Sequence, residues 1–285
     1  MKLLQNQVLK NEGKKSILYD VFYKKNSLKK PVVIFCHGYK GFKDWGAWNL
    51  VGKEFAKNNF AFIKFNFSHN GGTIKNPIDF PDLEAFGNNN FSHELNDIEI
   101  ILESLIKNKD FKNDFDFNDI SLIGHSRGAG SVIIKASENK KISKVISWAG
   151  VSDFKVRFNE GSNEFDNWKK KGVMYVENAR TKQLMPHYFQ FFQDFKKNEE
   201  RFNIKSAVEK LKIPFLIIHG SKDNSVLPGE GKNLFSWSKS GEIQIIEGSD
   251  HVFKSKHPWQ SKKLPEDLKK VVYLTINFLK KKLKF

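Results

Sequence analysis

Ile120-Ser121-Leu122-Ile123-Gly124-His125-Ser126-Arg127-Gly128-Ala129 runs from an apolar stretch into a helix-like one, Ala129 to Ser137, through the pattern G-x-S-x-G. A short apolar run that ends in glycine reads as a buried strand. Strand, sharp turn and helix together give the pattern its meaning. The serine of such a turn sits at a strained backbone position, with its hydroxyl lifted above the sheet edge. Small residues two before and two after it are required, because strand and helix approach too closely for side chains. Ser126 is therefore the candidate nucleophile. In an ordinary strand-to-helix turn it would be a helix cap.

The groups that serve such a serine follow it in the order acid, then histidine, each just after a strand. Pro214-Phe215-Leu216-Ile217-Ile218-His219-Gly220 is a buried-strand pattern, and Ser221-Lys222-Asp223 follows it. Glu242-Ile243-Gln244-Ile245-Ile246 is the next strand, and Glu247-Gly248-Ser249-Asp250-His251 follows that. Asp223 and His251 are thus expected at the same sheet edge as Ser126. A serine hydroxyl is a poor nucleophile at neutral pH, and an imidazole can take its proton during attack and return it to the leaving group. A carboxylate on the other ring nitrogen fixes the tautomer and stabilises the imidazolium. Asp250 is the rival acid, but it adjoins His251 and is badly placed to reach that ring.

An attacked carbonyl also needs donors for the negative oxygen it develops. One is the backbone N–H after the nucleophile, here Arg127, and the other comes from the loop after an early strand. Pro31 to Cys36 reads as that strand and His37-Gly38-Tyr39-Lys40-Gly41 as that loop, with the Tyr39 N–H as second donor. His37 is read as a structural histidine bonding within the loop.

The segments H-G-Y-K-G-F-K-D-W-G (37–46), G-H-S-R-G-A (124–129), H-G-S-K-D (219–223) and G-S-D-H (248–251) occur in the order and spacing of the α/β-hydrolases. The chain resembles that superfamily over nearly its whole length. Within it, the H-G-x-x-G loop and the place of an insertion make it most similar to the dienelactone-hydrolase-like and cinnamoyl or feruloyl esterase-like branch. The resemblance implies an α/β fold with a mostly parallel central sheet and helices on both faces. It also implies the triad Ser126, Asp223, His251 and the Tyr39 and Arg127 amides as oxyanion donors. Dienelactone hydrolase proper uses a cysteine nucleophile; Ser126 at that position argues against its substrate.

Composition sets agreeing bounds. A chain of 285 residues suits one sizeable domain with an insertion. The single cysteine, Cys36, allows no internal disulfide, and it falls in a strand where a small core residue belongs. Met1 to Lys14 lacks the apolar region of a secretory signal. No stretch approaches the roughly 20 apolar residues of a membrane span, so a cytoplasmic protein is expected. The net charge of +16 is carried by lysine, with arginine only at positions 127, 157, 180 and 201. Base and phosphate readers favour the arginine fork, so the lysines read as a solvated surface, with neither nucleic acid nor membrane as partner. The expected partner is a small-molecule ester, and a homo-oligomer is left open. The dispersed histidines lack metal-ligand spacing and no phosphate loop occurs, so no cofactor or metal is expected.

Strands and helices alternate along the chain, as in a parallel sheet. Residues 16–23 read as an edge strand, and Ser92 as the cap of a helix reaching Lys107. His69-Asn70-Gly71-Gly72 reads equally as pocket border or plain turn. Residues 150–213 break the alternation, since one crossover needs about a dozen residues. They are rich in phenylalanine, which argues against a disordered linker. The organisation expected is a first core part (1–151), a helical cap (152–205) over the Ser126 edge, and a second core part (206–285). A cap excludes water and offers an apolar pocket. Arg157 and Arg180 could meet a substrate carboxylate or form surface ion pairs.

Together these readings predict a serine hydrolase acting on carboxylic esters through an acyl-enzyme, with an apolar or aromatic acyl group. A peptidase or acyltransferase would use the same triad, and a binding protein could keep the fold without the chemistry.

Overall fold

The computed structural model describes residues 1–10 and 15–281, so the end of the stretch Met1 to Lys14 lies outside the described residues. The first half of the chain forms β1 (Lys2–Leu9), β2 (Ile17–Tyr23), β3 (Lys30–Cys36), α1 (Trp48–Lys57), β4 (Ala61–Phe65), α2 (Leu83–Gly87), α3 (Phe91–Lys107), β5 (Phe115–His125) and α4 (Arg127–Glu138). The second half forms β6 (Ile142–Trp148), α5 (Asn163–Lys171), β7 (Val173–Glu177), β8 (Leu184–Tyr188), α6 (Gln190–Lys197) and α7 (Ile204–Lys210). It ends with β9 (Phe215–Gly220), α8 (Pro228–Trp237), β10 (Gly241–Ile246) and α9 (Glu266–Lys280).

Eight strands make one sheet in the order β1-β2-β4-β3-β5-β6-β9-β10. From β4 to β10 all neighbours are parallel; β1 on β2 and β2 on β4 are antiparallel. Successive side chains on a strand point to opposite faces, so each central strand feeds two cores. In β3, Val32, Ile34 and Cys36 join one core, while Val33 and Phe35 join the other. In β5 the split falls between Leu122 and Ile123. Helix α3 packs Ile98 and Leu102 into the first core and α4 adds Val132 and Ile133. Helices α1 and α9 close the second with Val51, Phe55, Val271 and Ile276. Each such side chain contributes about 1.5–3 kcal/mol on burial. This is the mostly parallel sheet with helices on both faces that the alternation predicts.

Three local expectations need correction. Residues 17–23 are not at the edge, because β1 covers them in antiparallel register, Leu4 opposite Val21. The α3 cap is Asn90, whose side chain accepts the His93 N–H, whereas the Ser92 hydroxyl donates to Asp194. An N-cap must lie outside the helix in extended conformation, and Asn90 does, at φ −158° and ψ 172°. The segment 152–205, expected to be helical, also holds the antiparallel hairpin β7–β8. Val173 to Val176 favour strand, and Gly172 at φ 74° ends α5 just before them.

The rest of that segment packs through its aromatics. Phe158, Phe165, Trp168, Phe192 and Phe195 belong to the same core as Phe91 of α3. Phe91 stacks on Phe154 with ring centroids 3.9 Å apart.

Candidate active site

The parallel strands β3, β5, β9 and β10 run in one direction, so the loops that follow them gather at one sheet edge. Ser126 stands at the head of α4 with φ 57° and ψ −122°, a left-handed φ that a residue with a β-carbon adopts only when its surroundings force it. The glycines around it explain how. A β-carbon on Gly124 would lie 2.3 Å from the Gly128 carbonyl oxygen, and one on Gly128 would lie 2.5 Å from that of His37. One on Gly38 would lie 2.8 Å from Ser126 Cβ. The Ser126 N–H donates to Trp148 O at 2.9 Å, which pins the turn to β6.

Asp223, His251 and Ser126 come together in a line. His251 Nδ1 lies 2.8 Å from Asp223 Oδ2, and His251 Nε2 lies 3.0 Å from Ser126 Oγ. A carboxylate only accepts, so Nδ1 carries the proton and Nε2 is left to accept from the serine hydroxyl. Asp223 is fully buried, and its Oδ1 accepts the N–H groups of Ser225 and Val226. Burial raises its carboxyl, but hydrogen bonds from His219 and His251 outweigh that and hold it well below the usual carboxylate range. Asp250 faces elsewhere: its Oδ1 accepts the N–H groups of Val252 and Lys254.

The neighbouring histidines are held neutral. His125 Nε2–H donates to the backbone oxygen of His251 at 2.9 Å, and burial together with the His251 charge lowers its pKa to about 3. His37 Nδ1–H donates to Gly38 O while Nε2 accepts the Phe67 N–H. Burial lowers His37 to about 4, and both of its ring nitrogens are occupied by backbone partners.

Tyr39 and Arg127 flank Ser126. Among the described residues no acceptor is found for either backbone N–H. The Arg127 guanidinium pairs with buried Glu94 at 2.6 Å and lies 5.1 Å from the Tyr39 ring and 5.8 Å from the Phe191 ring. Glu94 also accepts from Asn89 and Ser131.

A cavity of about 660 Å³ opens over Ser126 and His251. Residues of segment 152–205 line it with Phe154, Phe158, Trp168 and Met174, and the core adds Phe91 and Val226. Arg157 lies on it but pairs with Glu230; Arg180 pairs with Asp79 away from it. Asn70 and Gly72 border a separate cleft of about 180 Å³ with Lys15 and Asp82. Cys36 is buried, and burial with the nearby carboxylates of Glu94 and Asp97 pushes its thiol well up. Among the described residues no group of histidine, cysteine and carboxylate side chains is arranged to hold a metal, and no helix is long and apolar enough to cross a membrane.

Glu94, His125, His187 and His219 have places in or against the site that pattern reading did not assign. The only signal was their position: His125 inside the turn motif, and His219 heading H-G-S-K-D.

Comparison with known proteins agrees with this architecture. The BD-FAE family model matches residues 19–237. No curated protein matches the chain. Among solved structures, Est1E from Butyrivibrio proteoclasticus with ferulic acid bound is similar at 17% identity and a TM-score of 0.72, over 96% of this chain and 97% of that one. The esterase domain of a Rhodothermus marinus protein is similar at 15% identity and a TM-score of 0.65, over 98% of both. A dienelactone hydrolase from Anabaena variabilis is similar at 15% identity and a TM-score of 0.60, over 96% of this chain and 97% of that one. At such identities the likeness is one of fold. The family match spans most of the chain, which belongs to the BD-FAE family of the α/β-hydrolase superfamily.

Proposed function

We propose that this protein is a serine hydrolase that cleaves small-molecule carboxylic esters through an acyl-enzyme. The observation that carries the reading is the unbroken hydrogen-bonded line from Asp223 through His251 to Ser126, at 2.8 and 3.0 Å, beneath an apolar cavity.

In this reading Ser126 Oγ attacks the ester carbonyl as its proton passes to His251 Nε2. Asp223 keeps the Nδ1 proton in place and stabilises the imidazolium. The tetrahedral oxyanion is met by the Tyr39 and Arg127 amides, and loss of one such donor costs about 3 kcal/mol of barrier. Collapse breaks the bond to the alcohol oxygen, which leaves with the proton from His251. Water, activated by the same histidine, then releases the acid and restores Ser126. Segment 152–205 acts as a cap whose aromatic lining suits an apolar or aromatic acyl group. Est1E, with ferulic acid bound, is a relative in fold that carries such a group.

The test is hydrolysis of aryl esters from acetyl to octanoyl, with a hydroxycinnamoyl ester, by wild type and Ser126→Ala. Turnover that vanishes in the variant supports the reading. Equal turnover in both, or none by folded wild type, contradicts it.

A further inference from the structure

Asp223 is flanked by two histidines, and the mechanism above uses one of them. His219, at the end of β9, is wholly buried. Its Nε2 lies 2.8 Å from Val226 O and 3.3 Å from Asp223 Oδ2, the oxygen that also receives His251. A backbone carbonyl cannot donate, so Nε2 carries the proton and is shared between the two acceptors. Nδ1 is buried without a partner. It packs on Gly231 of α8, where a β-carbon would come within 2.7 Å. The ring therefore faces the acid through its Nε2–H.

We propose that His219 is a positioning residue for Asp223: its Nε2–H fixes the orientation of Oδ2 and takes up part of the carboxylate charge that His251 would otherwise meet alone. The proposal rests on the reading of Ser126, His251 and Asp223 as the catalytic line. Its physical content is a balance. An unshared carboxylate stabilises the His251 imidazolium more strongly and makes the base harder to deprotonate. A carboxylate with a second donor is both better oriented and weaker as a counter-charge.

The other charged and titratable groups around the pair are engaged elsewhere. His125 donates to the His251 backbone oxygen. Glu230 on α8 accepts from Ser152 and pairs with Arg157. Asp250 caps its own loop, and Lys222 and Lys254 are exposed. None of them replaces the His219 donor.

Two polar substitutions separate reach from mere polarity. In His219→Gln the amide nitrogen falls where Nε2 stood; in His219→Asn it falls where Nδ1 stood and cannot reach Asp223. We expect His219→Asn to lower kcat about tenfold with little change in KM, and to move the acidic limb of kcat/KM up by about half to one pH unit. His219→Gln should keep both near wild type. A folded Asn variant with the wild-type limb and kcat overturns the proposal, as does a Gln variant that behaves like Asn. A third measurement depends on neither variant nor turnover: nitrogen NMR of histidine-labelled wild type should show the neutral His219 ring as the Nε2–H tautomer. The Nδ1–H form overturns it. Absence of ester turnover by wild type would instead count against the catalytic reading while the tautomer still reports on His219.

Discussion

The Tyr39 hydroxyl donates to His187 Nε2 at 2.8 Å, and His187 Nδ1–H donates in turn to Met185 O at 3.1 Å. The loop that follows β3 is thereby tied to β8 of the inserted segment. Burial pushes the Tyr39 phenol up to about 12, so it stays a donor at any working pH. Burial and the Arg127 charge lower His187 to about 4, so its Nε2 stays an acceptor. Tyr39→Phe keeps the ring and removes the bond. A neutral hydrogen bond is worth about 1 kcal/mol, so kcat for ester hydrolysis should fall about fivefold, with KM for a short acetyl ester nearly unchanged. Wild-type kcat in this variant would show that the bond does not hold the loop in its working position.

The two candidate acids are separated by what their oxygens touch. Asp223 Oδ2 meets His251 Nδ1 at 2.8 Å, whereas Asp250 accepts backbone N–H groups of its own loop and pairs with Lys254. Asp223→Asn should lower kcat by about 10⁴, the scale seen when the orienting acid of such a triad becomes an amide. Asp250→Asn should change it by no more than a few fold. Kinetics of the two purified variants decide this, and the reverse ranking would transfer the acid role to Asp250.

Lys43 and Lys64 close a buried box with Asp20 and Asp44. Contacts run from 2.6 to 3.0 Å, and Asp20, Lys43 and Lys64 are at most 1% exposed. Burial raises Asp44, but Lys64 and Lys43 outweigh it and lower its carboxyl. Lys43 directly follows the 37–42 loop, and its N–H donates to Asn66, so the box anchors that loop to β2 and β4. Asp20→Asn leaves two buried ammonium groups short of a counter-charge, at a cost of about 3–5 kcal/mol. The melting temperature should drop by about 10 °C, read by calorimetry. A drop of a degree or less would mean that the box adds nothing to stability.

Acid should weaken the fold early. His37, His125 and His187 are lowered to about 4, 3 and 4, first by burial, against an ordinary value of 6.5. The unfolded chain therefore binds protons that the folded chain refuses, and stability rises with pH across that interval. The contribution of these rings is fully present above about pH 6.5 and is lost progressively as pH falls toward about 4. Unfolding midpoints in urea should decline steadily over that range. A flat profile would mean that the three rings accept protons in the folded state.

Much of this was legible in the residues because the chemistry leaves little choice. Only small residues fit at Gly124 and Gly128, and apolar runs such as Phe215 to Ile218 have no place but a buried strand. What stayed hidden is what depends on partners distant in sequence. Residues Lys2–Leu9 mix polar and apolar side chains without strict alternation and are partly exposed, so they lack a strand signature until β2 offers them a ladder. The hairpin β7–β8 is half exposed and too short for its period to be told from that of a helix. Glu94 looks like any polar residue in the sequence, and His219 is marked only by heading H-G-S-K-D. Their place follows from burial against Asp223 and Arg127.

The central claim is that Ser126 Oγ is the nucleophile. The most direct measurement is intact mass after treatment with an aryl phosphonate ester, followed by peptide mapping. Such a reagent stops at the phosphonylated serine and needs no knowledge of the natural ester. The account predicts one adduct on the wild-type protein, mapped to Ser126, and none on folded Ser126→Ala. No adduct on folded wild type, or the same adduct on the variant, would contradict it.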